Sequence, residues 1–170
     1  MSTLILQPSR EDYLIACLAA FAIMIHIFEA AIPSPFPGVK PGLANVITIA
    51  SLLVFGWKIA AWISFLRVLV GSLMIGTFLS PTFAMSLAGA ISSIFLLGIC
   101  WKIFGHRLGA IGYSILAAFA HMAGQFLMAY LLFIPHPGLL KLLPIFMTLA
   151  LVFGLLSGII AAAMIRKVPH

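Results

Sequence analysis

The stretch Phe28–Asn45, FEAAIPSPFPGVKPGLAN, joins the end of one apolar run to the start of the next. Four of its residues are prolines, which remove backbone donors and favour extended conformations in the residues before them. The middle of the stretch therefore cannot be helical. It predicts two apolar helices joined by a stiff loop, with a glutamate, Glu29, at the end of the first helix.

The whole chain continues this pattern. Hydrophobic residues make up 64% of the 170 residues, charged residues make up 7%, and the mean hydropathy is +1.27. Soluble domains contain about 25% charged residues, and a membrane-spanning helix needs about 20 apolar residues. We therefore expect an all-α integral membrane protein with a single transmembrane domain over residues 1–170 and six transmembrane helices. The predicted helices cover about 11–32, 42–57, 58–79, 82–104, 107–134 and 143–165.

The basic residues predict the orientation of the bundle. The formal net charge is +6, but the basic residues lie singly between apolar runs, which is typical of topology determinants and not of a nucleic-acid interface. Most of them fall at the end of the bundle that contains both termini, and the positive-inside rule then places both termini in the cytoplasm. This end holds Arg10, Lys58, Lys102, Arg107, Arg166 and Lys167, whereas Lys40 and Lys141 lie in the predicted outer loops.

Several polar residues fall inside the predicted spans, where a polar side chain is costly unless it faces the bundle interior or a cavity. His26 and Glu29 are three residues apart, and His121 and Gln125 are four apart, so each pair shares one helix face. Asn45 falls near the outer end of the second helix. If these faces converge, they form a substrate-binding patch that opens outward.

Arg67 is the most costly of these residues, at roughly 2.5 to 3.5 kcal/mol on insertion scales. One interpretation is a structural ion pair with Glu29 or hydrogen bonds to backbone carbonyls. The other is an anchor for an anionic ligand, since guanidinium suits carboxylate and phosphate groups. The two interpretations are compatible, because a ligand can replace Glu29 as the partner.

Lys40 lies in the proline-rich loop, against the charge bias of that side. A stiff loop can form the lid of an outward cavity with Lys40 pointing inward, or it can be a rigid spacer with a solvated lysine. We include Lys40 among the candidate substrate-binding residues.

Small residues recur at helix-packing spacing in two helices. Ala16 and Ala20 lie in the first helix, and Gly154, Gly158 and Ala162 lie in the sixth. Small residues four apart let helix backbones approach closely. They indicate either packing within the bundle or a docking face for another membrane subunit.

Other chemistry is disfavoured by the sequence. It contains no GxxxxGK[ST] loop, so any ATP-driven work needs a partner. It also lacks the aspartate clusters with which a prenyl synthase holds magnesium and diphosphate. His26, Glu29 and His121 are compatible with a metal or haem, but the pattern is not specific, and we expect no cofactor.

Two blocks, FEAAIPSPFPGVKPGLANVITI and FLRVLVGSLMIGTFLSPTFAMSLAGA, resemble the Gx transporter family, which is often labelled heptaprenyl diphosphate synthase component I. The likeness covers about residues 12–165. That family is similar to the substrate-binding S components of energy-coupling factor (ECF) transporters. The resemblance implies a six-helix S-component fold, with a ligand pocket in its outer half under the loop between the first two helices. It also implies docking of a shared transmembrane subunit on Ala16 and Ala20.

The resulting prediction is a non-catalytic, multi-pass subunit of the cytoplasmic (inner) membrane. It captures a small anionic organic molecule from the outer face for uptake and works with an ECF-type coupling subunit and ATPase subunits. The alternatives are a non-catalytic membrane subunit in quinone or isoprenoid metabolism and a haem-binding electron carrier. The sequence does not identify the substrate or the oligomeric state.

Overall fold

The computed structural model describes residues 9–31 and 42–167. These residues form seven α-helices, six of them long. Within residues 42–167, short connections join consecutive helices. The helices are α1 (Arg10–Ala31), α2 (Ala44–Phe55), α3 (Trp57–Ile75), α4 (Pro81–Phe104), α5 (Ala110–Met128), α6 (Pro137–Leu140) and α7 (Leu143–Ile165).

Five of the described helices, α1, α3, α4, α5 and α7, are long and apolar enough to cross a membrane. The predicted second span, 42–57, is shorter than expected, because α2 contains only 12 residues. At 1.5 Å per residue it is about 18 Å long, well below the roughly 30 Å of a bilayer core. Seven of its residues are buried, so α2 is an interior helix of this multi-pass membrane protein.

Glycine and capping residues set several helix ends. Gly56, with φ 90°, separates α2 from α3, two residues before the predicted boundary at Lys58. Gly76, in the left-handed conformation, ends α3 before the predicted residue 79. Ser80 then caps α4, since its hydroxyl accepts a hydrogen bond from the Phe83 N–H at 3.3 Å.

The fifth predicted span, 107–134, is divided in the structure. A 3₁₀ turn over Gly105–Arg107 precedes α5, and a π-helical turn over Ala129–Phe133 follows it. The hydroxyl of Tyr113, in the first turns of α5, donates a hydrogen bond to the Gly105 carbonyl at 2.5 Å. This bond ties the start of α5 to the turn before it.

Helix α2 packs among four other helices, and α3 also packs against α4. Helix α5 packs against α4 and α7, and α1 packs against α3. Helix α2 contacts α1, α3, α5 and α7, which explains its burial. A large apolar cluster around Ile49, Leu52 and Tyr113 fills the bundle where α2 meets α5.

The small-residue face of α7 is used for internal packing. A Cβ atom on Gly158 would lie 2.7 Å from the Cα of Ile111, and one on Gly154 would lie 2.9 Å from the Cβ of Ala118. Both neighbours belong to α5, and Ala162 packs against the same apolar cluster. Of the two interpretations of this face, packing within the bundle is therefore the correct one. By contrast, Ala16 and Ala20 are exposed on α1.

The bundle has two chemically different ends. One end contains the starts of α1, α3 and α5 with the end of α7, and its basic residues are the six predicted for the cytoplasmic side. The opposite end contains the end of α1 and the connections around 76–80 and 129–142; we call it the loop end. The assignment of the loop end to the outer side stays a prediction.

Candidate ligand-binding cavity

A cavity of about 120 Å³ lies between the helices, toward the loop end. A buried water needs roughly 10–15 Å³ of such space, so the cavity has room for a small organic molecule. Helices α1, α2, α3, α4, α5 and α7 all contribute to its wall. The lining residues are His26, Glu29, Gly42, Asn45, Arg67, Val68, Ser86, Ala118, His121, Met122, Gln125, Ala150, Phe153, Gly154 and Ser157.

The structure brings the described candidate residues together in this cavity. Glu29, Asn45, Arg67, His121 and Gln125 all line it, and so does His26. They come from four helices, so the predicted faces converge. Lys40 lies outside the described residues, and its place beside the cavity stays a prediction.

Arg67 lies near the middle of α3 and is 6% exposed. It interacts electrostatically with Glu29 of α1 and His121 of α5. Within residues 9–31 and 42–167, its buried Nε has no hydrogen-bond partner. A buried donor without a partner is unfavourable by about 1–3 kcal/mol. A ligand acceptor placed in the cavity would relieve this cost.

Glu29 connects the cavity to the start of α2. Its side chain is 3% exposed, and its carboxylate accepts a hydrogen bond from the Leu43 backbone N–H. On the opposite side, the Ser157 hydroxyl of α7 donates to the Gly42 carbonyl at 3.3 Å. Two side chains of the cavity wall thus hold the segment where the chain enters α2.

Asn45 lies in the first turn of α2, directly after this segment. Its backbone N–H donates to the Gly42 carbonyl at 2.9 Å. Because the turn is fixed by Glu29 and Ser157, the position of the Asn45 side chain at the cavity depends on both of them.

Glycines on α3 and α4 make room for the polar side chains. A Cβ atom on Gly71 would lie 2.8 Å from Cδ2 of His26. A Cβ atom on Gly89 would lie 2.8 Å from Cγ of Gln125 and 2.9 Å from Nε2 of His121. All three distances are shorter than normal contacts, so the two imidazoles and the Gln125 side chain lie directly on glycine backbone.

Sequence reasoning missed the glycines Gly71 and Gly89 and most of the wall contributed by α7. Ala150, Phe153 and Ser157 lie on this wall. Apolar residues surround a membrane helix on all sides, so periodicity does not separate a cavity-facing phenylalanine from a lipid-facing one. Ser157 carried a weak signal, as a hydroxyl beside the small residues of the last helix.

The structure describes no group of three or more His, Cys, Asp or Glu side chains in residues 9–31 and 42–167 that could hold a metal ion. The polar groups that meet in the cavity are a guanidinium, a carboxylate, imidazoles, amides and hydroxyls. Such a set suits an organic molecule with several hydrogen-bonding groups.

The fold and the cavity define a multi-pass α-helical membrane protein with a polar internal cavity near one end. The sequence model of the family described as heptaprenyl diphosphate synthase component I matches residues 18–164. The chain therefore belongs to the heptaprenyl diphosphate synthase component I family, as its resemblance predicted. No curated protein and no solved structure matches the chain.

Proposed function

We propose that this protein is the substrate-binding subunit of an ECF-type uptake transporter in the cytoplasmic membrane. In this role it binds a small organic molecule with an anionic group from the outer face. The observation that carries the proposal is the convergence of Glu29, Asn45, Arg67, His121 and Gln125 on one cavity at the loop end.

The anionic character of the ligand follows from Arg67. Its guanidinium is almost fully buried and its Nε donor is unused among the described residues. Guanidinium binds carboxylate and phosphate in a planar, two-pronged geometry. An anionic group at Arg67 would therefore pair a buried charge and satisfy a buried donor at once.

The cavity favours binding over catalysis. Among the described lining residues, Glu29 is the only carboxylate, and its hydrogen bond to Leu43 gives it a structural role. Magnesium-dependent transfer of a diphosphate needs several carboxylates around the metal. We therefore propose a non-catalytic subunit, although the family is named after a synthase component.

The transport role requires partners. The sequence contains no phosphate-binding GxxxxGK[ST] loop, so we propose that separate ATPase subunits supply the energy. Ala16 and Ala20 are exposed on one face of α1, where a transmembrane coupling subunit can approach closely. This face is the proposed docking site.

Native mass spectrometry of the gently purified chain, together with thermal unfolding, tests the binding role. We expect the wild-type protein to retain a small molecule and to lose stability when that molecule is removed. Arg67→Met should abolish retention, whereas Arg107→Met, the same change at an exposed site on the other end, should not. Equal retention by both variants would remove Arg67 from the site and refute an anionic ligand.

The family name favours a second candidate, a membrane subunit that assists isoprenoid synthesis. In that case the retained molecule should be a prenyl diphosphate or a quinone precursor. Native mass spectrometry distinguishes these by mass, and addition of the chain to a prenyl synthase should then raise product formation. An unchanged rate and a polar, non-isoprenoid ligand would exclude this candidate.

A further inference from the structure

The cavity wall contains two carboxamide side chains, Asn45 of α2 and Gln125 of α5. Both residues are partly buried, and the side-chain amide of each forms no hydrogen bond in the part of the chain that the structure describes. Each amide has two N–H donors and a carbonyl acceptor, and these groups need partners inside a membrane bundle. The partners must therefore come from what fills the cavity.

The stem of the Gln125 side chain is held in place by close packing. A Cβ atom on Gly89 would lie 2.8 Å from Cγ of Gln125 and 2.9 Å from Nε2 of His121, so both side chains pack on the same glycine of α4. The helix backbones are also in close contact here, because a Cβ atom on Gly124 would lie 2.7 Å from the carbonyl oxygen of Ala88. The amide of Gln125 therefore lines the cavity from a rigid pair of helices.

His121 connects this amide to the guanidinium of Arg67. It lies one helical turn before Gln125 on α5, and its ring interacts electrostatically with Arg67. The guanidinium supplies only donors, and its Nε has no hydrogen-bond partner among the described residues. In one cavity of about 120 Å³, a small molecule can thus meet an all-donor group and a group that both donates and accepts.

The two groups favour different ligand chemistry. The donors of Arg67 suit an anion. An amide presents a donor and an acceptor side by side, and its complement is an edge with an acceptor beside a donor. Glutamine and asparagine bind adenine in this two-pronged way. Lactams, ureides and pyrimidine-type rings have such an edge, whereas an ionised carboxylate has only acceptors.

We propose that the ligand carries two recognition groups: an anionic group that binds Arg67, and an amide-type edge, with an N–H beside a C=O, that pairs with the amide of Gln125. This inference rests on the proposed function, because it specifies the chemical class of the bound molecule. Gln125 is then the residue that distinguishes the ligand from simple carboxylic acids. Met122 and Phe153 also line the cavity and suit an apolar ring that carries both groups.

Two matched sets of small molecules test this proposal on the full chain in lipid nanodiscs. The first set is orotate, benzoate and uracil, which are rings with both groups, with the carboxylate alone and with the ureide alone. The second set is pyroglutamate, cyclopentanecarboxylate and 2-pyrrolidinone, in which a lactam replaces the ureide. Affinity is measured from the concentration dependence of thermal stabilisation. In at least one set, we expect the molecule with both groups to bind at least tenfold more tightly than either of the others, the effect of a two-pronged hydrogen bond.

Variants show whether Gln125 causes the preference. Gln125→Met keeps the length of the side chain and removes its donors and acceptor, so the ratio of the affinities for the amide-bearing acid and the plain acid should fall about tenfold. Thr148→Val also removes a polar group, but at an exposed position of α7, and should keep the wild-type ratio. A general disturbance of the cavity lowers both affinities and leaves the ratio unchanged, so the ratio separates recognition by Gln125 from a structural role.

The outcomes distinguish the inference from the proposed function. If the plain acids bind as tightly as the amide-bearing acids, and Arg67→Met abolishes this binding, the amide proposal is wrong and the binding function stands. A preference for the amide-bearing acid that persists in Gln125→Met also overturns the inference. Binding of uracil or 2-pyrrolidinone as tightly as the matching amide-bearing acid overturns it as well, because the anionic group then contributes nothing.

If none of these molecules stabilises the protein, the molecule retained by the purified chain decides. Native mass spectrometry with fragmentation should find an amide-type group in it, and Gln125→Met should lose its retention. A retained molecule without such a group, or one that Gln125→Met still retains, overturns the inference and leaves the binding function standing. If nothing is retained, both fail.

Discussion

Arg67 determines the chemistry of the cavity at the residue scale. A guanidinium buried at the centre of a membrane bundle needs partners, and Glu29 supplies part of the electrostatic compensation. The free Nε donor indicates that the compensation among the described residues is incomplete. The shape of the guanidinium group should therefore matter as much as its charge.

The first prediction is that Arg67→Lys weakens ligand binding although it keeps the charge. A lysine ammonium is a point charge and cannot reproduce the planar, two-pronged hydrogen bonding of guanidinium. We expect at least a tenfold loss of affinity, about 1.4 kcal/mol. Titration of the wild type and the variant with the retained molecule measures it. Equal affinities would show that Arg67 contributes only its charge.

The second prediction concerns Glu29 and stability. Glu29→Gln removes the counter-charge of Arg67 and weakens the hydrogen bond from Leu43, so the free energy of unfolding should fall by about 3 kcal/mol. The double variant Glu29→Gln, Arg67→Met should recover part of this loss, because it leaves no unpaired charge. Thermal unfolding without ligand measures all variants, with Glu11→Gln as the exposed control. Additive losses in the double variant would contradict the coupling.

The third prediction uses the close approach at Gly89. In Gly89→Ala the new methyl group would meet His121 and Gln125 at 2.9 and 2.8 Å, so both side chains must move. Since these are side chains and not backbone, the fold should survive while ligand affinity falls. Gly109→Ala is the control, because a Cβ atom there meets nothing within 4 Å. Unchanged affinity in Gly89→Ala would place the ligand away from this wall.

At the element scale, α1 and α7 use similar patterns of small residues for different purposes. On α7, Gly158 contacts the α5 backbone. On α1, Ala16 and Ala20 remain exposed. The difference depends on which face of each helix meets its neighbours and not on the pattern itself.

The fourth prediction separates these two faces. Gly158→Ala places a methyl group 2.7 Å from the Ile111 backbone and should destabilise the chain by about 1–3 kcal/mol. The double change Ala16→Leu, Ala20→Leu should leave the isolated chain stable and abolish co-purification of partner subunits. The exposed Ala163→Leu on α7 serves as control. Unfolding of the Ala16, Ala20 variant would show that this face supports the fold.

At the scale of the whole molecule, the ends of the bundle differ in charge, and the cavity lies toward the end with few basic residues. Capture from outside requires the loop end to face outward. The positive-inside rule predicts this orientation, because most of the lysines and arginines beside the helix ends lie at the end opposite the loop end.

The fifth prediction is the labelling pattern of single cysteines after the chain's two native cysteines, Cys17 and Cys100, have been replaced. A membrane-impermeant thiol reagent should label Lys40→Cys and Lys141→Cys from outside. Lys102→Cys and Arg107→Cys should react only after permeabilisation. The reverse pattern would invert the orientation and place the cavity on the cytoplasmic side.

The sequence by itself determined the class of protein and most of the helices. The length of the apolar runs, the prolines of the first loop and the charges between the runs are enough to predict both. The reason is that a segment that spans the lipid must form its backbone hydrogen bonds internally. The cost of burying a charge also identified Arg67 and Glu29 as residues that need partners.

Only the tertiary structure decided how the helix faces meet. It made α2 a short interior helix, put Gly71 and Gly89 beneath imidazole and amide side chains, and assigned the small residues of α7 to internal packing. It also joined Phe153 and Ser157 to the cavity wall. Apolar side chains are acceptable on every face of a membrane helix, so the sequence pattern does not say which face is inside. That choice depends on the close packing of neighbouring helices.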